Sequence, residues 1–76
     1  MANREAADLL AAISAVRRTA RQLELAVHDA QVAYDCVALG NVDRAHTYAI
    51  TARAAVDAAE NVLRAALNAN ESPGDE

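Results

Sequence analysis

The chain has 76 residues, room for one small domain and no more. Its formal net charge is -4, its seven basic residues are all arginine, and its only aromatics are two tyrosines. That balance argues against nucleic acid as the main partner, and one cysteine excludes an intrachain disulfide staple.

Asn3 is suited to cap a helix, with Glu5 and Asp8 placed to complement the helix dipole in its first turns. From there a heptad runs without interruption through Ala6, Leu9, Ile13, Val16, Ala20, Leu23, Val27, Ala30, Tyr34 and Val37. Alternating steps of three and four predict one long helix over about residues 4–39, on the order of 50 Å long. Gly40 fits the left-handed position that closes such a helix, and Asn41 can cap the next, with Asp43 in its first turn. The second series is Val42, Ala45, Ala49, Ala52, Val56, Ala59, Leu63 and Ala66, predicting a helix over about 42–69. Residues 71–76 carry Pro73, Gly74 and three acidic side chains, and are expected to form a disordered tail after a helical hairpin spanning 1–70. The fold class expected is all-α, an antiparallel two-helix hairpin.

Folding the chain at Gly40 and Asn41 puts residues whose numbers sum to about 82 opposite each other, given equal rise in both helices. The two heptad rows are then expected to face each other, with Ala52 and Ala59 at the closest approach. Helix 2 stops before it can cover Leu9, Leu10 and Ile13. A further stripe of Leu25, Val32, Cys36 and Leu39 lies opposite the heptad row, joined by Ile50. One partner helix cannot bury all of these, and a domain this small is marginal to begin with. Self-association into a coiled-coil-like four-helix bundle, most simply a homodimer, is the expected remedy, with this same set as the interaction surface. No apolar run approaches a membrane span and no basic-then-apolar leader opens the chain, so a soluble cytoplasmic protein is expected. The lone thiol agrees with a reducing compartment.

The chemistry available is sparse. Arg17, Arg18 and Arg21 form the densest basic feature, and the register brings Arg64 near them. Arg17 and Arg21 are four apart on one helix and repel unless an anion or carboxylate lies between them. Glu24 and Glu60 are candidates for local pairing; a phosphate-bearing ligand such as a nucleotide is the alternative. His28, Cys36 and His46 are soft metal-ligand types but too few for a structural zinc site, so no metal and no cofactor are expected. Ser14, Thr19, Thr47 and Thr51 lie within helices, and Cys36 with His46 lacks oxyanion donors, because helix interiors keep their N–H groups occupied. No catalytic residue is assigned. Tyr34 and Tyr48 are expected to pack near the hairpin end with their hydroxyls at the rim.

Two local resemblances exist. Arg21 and His28 have the Arg-x6-His spacing of the helical, dimeric HEPN ribonucleases, in a chain shorter than their bundle. Leu39-Gly40-Asn41 followed by Ala45 and Ala52 resembles the turn and second helix of a tetratricopeptide repeat over about twenty residues, which are also the residues any tight helical hairpin selects. The reading that follows is a non-enzymatic interaction protein: a self-associating hairpin that binds another protein as an adaptor, inhibitor or assembly factor. The competing reading is an oligomer that takes a small anionic ligand, or nucleic acid, on its arginines.

Overall fold

Two helices, α1 (Ala2–Ala38) and α2 (Val42–Asn70), make up the architecture, and no strand occurs among the described residues. The computed structural model describes residues 2–70, so the expected tail at 71–76 lies outside the described residues. Neither helix contains Gly or Pro, and alanine, the best helix former, recurs throughout both. α1 begins at Ala2, so Asn3 is a first-turn residue and not the cap expected from the sequence.

The turn closes as its residues dictate. Gly40 adopts φ +80°, the left-handed conformation that costs an L side chain most. The Asn41 amide donates to the Cys36 carbonyl at 2.8 Å and the Gly40 amide to the Val37 carbonyl at 2.9 Å, the paired bonds of a Schellman closure. Asn41 then caps α2: its Oδ1 accepts from the Arg44 amide at 3.1 Å, and its carbonyl accepts from the Ala45 amide at 3.0 Å.

The packing differs from the sequence expectation in one decisive respect. The heptad of large residues does not line the contact between α1 and α2. Val16 and Val27 are each 68% exposed and Tyr34 is 70% exposed. On α1 the seam lies one residue earlier in phase, about 100° around the helix, whereas on α2 Ala45, Ala52 and Ala59 of the expected series do lie in it and Val42, Val56 and Leu63 do not. On α1 it runs through Ala15, Thr19, Gln22, Ala26, Asp29, Ala33 and Cys36, all buried or half-buried. On α2 it runs through Ala45, Tyr48, Ala52, Ala55, Ala59 and Val62. Both rows also advance by alternating threes and fours, so both carry the period of packed helices. Ala59, at 1% exposed, is the most covered residue of the core, as expected for the closest approach; Ala52 is half-buried.

Small side chains explain the choice. Alanines on both sides let the axes approach toward the short end of the usual ~8–10 Å range, where larger residues would hold them apart. The polar members of the row are accommodated locally. Thr19, buried, donates its hydroxyl to the Ala15 carbonyl at 2.9 Å, and Asp29 lies 3.3 Å from Nδ1 of His28. The consequence is a thin core, whose apolar members are Ala26, Cys36, Ala45, Ala55 and Ala59.

α1 has 37 residues against 29 in α2, a difference of about 12 Å at 1.5 Å per residue. The start of α1 therefore projects beyond α2, and Leu9 and Leu10 are exposed. The whole hairpin measures 58 × 26 × 12 Å, a slab one helix thick. No helix among the described residues is long and apolar enough to cross a membrane.

Candidate functional site

Where the large residues point follows from helix handedness. In two right-handed helices running in opposite directions, residue number advances around the axis in opposite senses. Positions one step past the seam therefore turn to the same side of the slab in both helices. On α1 these are the rows of Leu9, Val16, Leu23 and Val37, and of Ile13, Val27 and Tyr34. On α2 they include Val42, Val56 and Leu63. All ten are exposed, from Ile13 at 40% to Val42 at 72%. The hairpin thus presents one broad apolar face, with Ala45, Ala52 and Ala59 along its central groove. A shallow apolar dent lined by Ala12, Ile13, Val16 and Arg17 lies at the end where α1 projects.

The opposite face is mostly polar, with Arg18, Arg21, His28, Asp35, Arg44, Thr47, Thr51 and Asn61 on it by the same phase argument. The sequence-derived interaction set divides between these surroundings. Leu9 and Ile13 belong to the apolar face, and Leu10 flanks it on the outer edge. Leu25 and Leu39 are exposed on the polar side, Val32 is half-buried there, and Ile50 points outward from α2. Cys36 is buried in the seam between the helices and presents no surface to a partner.

Arg17, Arg18 and Arg21 surround a second shallow pocket together with Ser14 and Gln22, all on α1. Arg64 is engaged on its own helix: Nε donates to Glu60 Oε2 at 3.1 Å and Nη2 donates to Glu60 Oε1. The hydrogen bond that Arg64 donates to Glu60, and then the Glu60 charge, raise the Arg64 pKa above its ordinary value. Among the described residues Arg64 pairs with Glu60 and His28 Nδ1 lies 3.3 Å from Asp29, and neither Glu24 nor Glu60 pairs with the α1 arginines.

Other reactive groups are dispersed. Among the described residues no three His, Cys, Asp or Glu side chains gather where they could hold a metal ion. The hydroxyls of Thr19, Thr47 and Thr51 each donate to a carbonyl of the preceding turn, the ordinary use of such groups within helices. Cys36 is buried while His46 is exposed. Tyr48 packs half-buried in the seam, whereas Tyr34 stands out on the apolar face. No buried side-chain nitrogen or oxygen among the described residues lacks a hydrogen-bond partner.

Sequence reasoning missed Val16, Leu23, Val27, Tyr34 and Val37 as surface because it spent them on the hairpin core. The signal that finds them is a second, alanine-rich heptad, offset by one residue and legible beside the first. Comparison with protein-family models, with curated proteins and with solved structures found no match to this chain.

Proposed function

We propose that this chain is a non-enzymatic interaction protein: a helical hairpin that self-associates through its apolar face into a four-helix bundle and binds another protein on what remains exposed. One observation carries the reading. The hairpin spends alanines on its own seam and leaves ten large apolar side chains on a single face. Fully burying one such residue is worth ~1.5–3 kcal/mol, so covering the face outweighs anything the thin core supplies. A contiguous apolar face of this extent on a small domain marks an interaction site. The hydroxyls tied to backbone carbonyls and the buried thiol support a binding role over catalysis.

The test is light scattering coupled to size exclusion on the full chain, expected to give at least twice the chain mass at micromolar concentration. A species of single-chain mass with full helicity overturns the self-association. A Leu25→Asp variant of retained mass then separates capture of another protein on the polar side from assembly on the apolar side.

A second reading rests on the arginines. Arg17, Arg18 and Arg21 ring a pocket with Ser14, and among the described residues no carboxylate pairs with them. That arrangement suits a phosphate-bearing ligand, which would raise the melting temperature by mass action.

A further inference from the structure

We propose that the occupant of the apolar face is a second copy of this chain, turned by a two-fold axis that crosses the helices at right angles. Each α1 then lies antiparallel on the other α1, and α2 lies on α2. The inference rests on the self-association reading above and adds its orientation and register.

The face is large enough. The hairpin's two longer extents are 58 and 26 Å, so its broad side is of the size that the roughly 800 Å² per partner of a standard interface needs. When two such slabs meet through the same face with their helices aligned, the two-fold lies in the contact plane and has two settings. It runs along the helices, stacking α1 on the other copy's α2, or across them, stacking like on like.

The projecting end of α1 separates the two. With the axis along the helices, both projecting ends lie at the same end of the bundle, where neither α2 reaches. Leu9 of each copy then stays uncovered. With the axis across the helices, the projecting end of one copy lies over the turn end of the other. Leu9 then meets Tyr34 of the second copy, and Ala6 meets its Val37. The unequal lengths of α1 and α2 become an asset of the assembly.

Side-chain size and charge select the register. With the axis level with Arg21, this antiparallel contact pairs Ala20 with Leu23, Ile13 with Ala30 and Val16 with Val27 of the second copy. Large meets small where the layers need it. On the outer edge, Arg17 faces Glu24 of the second copy, and the symmetry gives that pair twice. Sliding by one heptad in either direction sets Arg17 against Arg17 or Glu24 against Glu24, and one of those slides leaves Ala20 opposite Ala30. The axis along the helices instead levels Glu24 with Glu60. In the preferred arrangement Val56 lies near Leu67 of the second copy. The two Glu60 side chains come level as well, each already bonded to its own Arg64. Arg18 and Arg21 remain on the outer, polar surface.

Crosslinking reads the orientation. In a Cys36→Ala background, a Gln31→Cys chain is mixed with a Leu10→Cys chain and treated with a short bis-maleimide. The proposed dimer gives the mixed crosslink, because residues 31 and 10 adjoin across the interface. Gln31→Cys mixed with Arg53→Cys gives none, since those positions are then about 27 Å apart along the bundle. The axis along the helices reverses the two results. Independently, Arg17→Glu raises the dimer dissociation constant about tenfold, and Arg17→Glu with Glu24→Arg returns it to the original value. The two residues are seven apart in one chain and cannot pair within it, so the rescue reports the contact between copies. A dimer that crosslinks 31 to 53, crosslinks neither pair, or shows no rescue overturns the orientation and leaves self-association standing. A chain of single mass before any substitution overturns both.

Discussion

Replacing Ala59 by leucine tests the seam most directly. Ala59 is 1% exposed, the most covered residue between α1 and α2, and Ala52 and Ala55 before it on the row let the axes lie close. Leucine adds three carbons where there is no void to receive them. Overpacking of that kind costs ~1–3 kcal/mol, and this site belongs toward the upper end, because separating the axes also loosens Ala45 and Ala55. In a domain of this size 1 kcal/mol shifts the melting temperature by about 4–8 °C, so a fall of about 10–20 °C is expected. Ala54→Leu is the control. Ala54 is exposed on the polar side of the same helix, and leucine there should stay within about 0.5 kcal/mol of the original. Far-UV circular dichroism, followed through thermal melts at fixed concentration, reads both. If Ala59→Leu melts at or above the original while Ala54→Leu falls, Ala59 does not lie at the closest approach of α1 and α2 and the packing argument fails.

Four further outcomes follow from the same geometry. Gly40→Ala meets nothing within 4 Å, so its cost is conformational, about 1–2 kcal/mol for holding alanine at φ +80°, and denaturant midpoints should fall accordingly. Asn41→Ala removes the acceptor for the Arg44 amide and should cost about 1 kcal/mol by the same measurement; an unchanged midpoint would show that the cap is dispensable. Val27→Asp places a charge on the apolar face and should lower the mass seen by light scattering to that of one chain, whereas Leu25→Asp should not. Arg18→Ala and Arg21→Ala should leave the melting temperature nearly unchanged with and without polyphosphate. A large ligand-dependent shift lost on Arg21→Ala, with Leu25→Asp and Val27→Asp both inert, would put the anion-binding reading first.

The candidate surface was only partly legible in the sequence. Leu9 and Ile13 stood out because a length argument needs only the position of the turn. Cys36 was grouped with Leu25, Val32 and Leu39 because four residues at helical spacing look like one stripe. It is turned into the seam instead, about 40° around the helix from Val32 and about 60° from Leu39. The arginine cluster was visible as a run on one helix, but Arg64 was drawn toward it only by level along the axis. Its direction around α2, and its bond to Glu60, depend on helix phase.

What the residues determined by themselves was the hairpin. Long runs free of Gly and Pro, a left-handed Gly40 and a capping Asn41 act locally, through backbone preference and hydrogen bonds to near neighbours, so no knowledge of the rest of the fold is needed. Tertiary structure alone decided which of two α1 heptads, one residue apart, faces α2. Both have the right period, and hydrophobicity favours the larger residues. Packing between two lone helices favours the smaller ones, because dispersion falls off steeply with distance and alanines bring two backbones into contact. The large residues are left for whatever closes the other side.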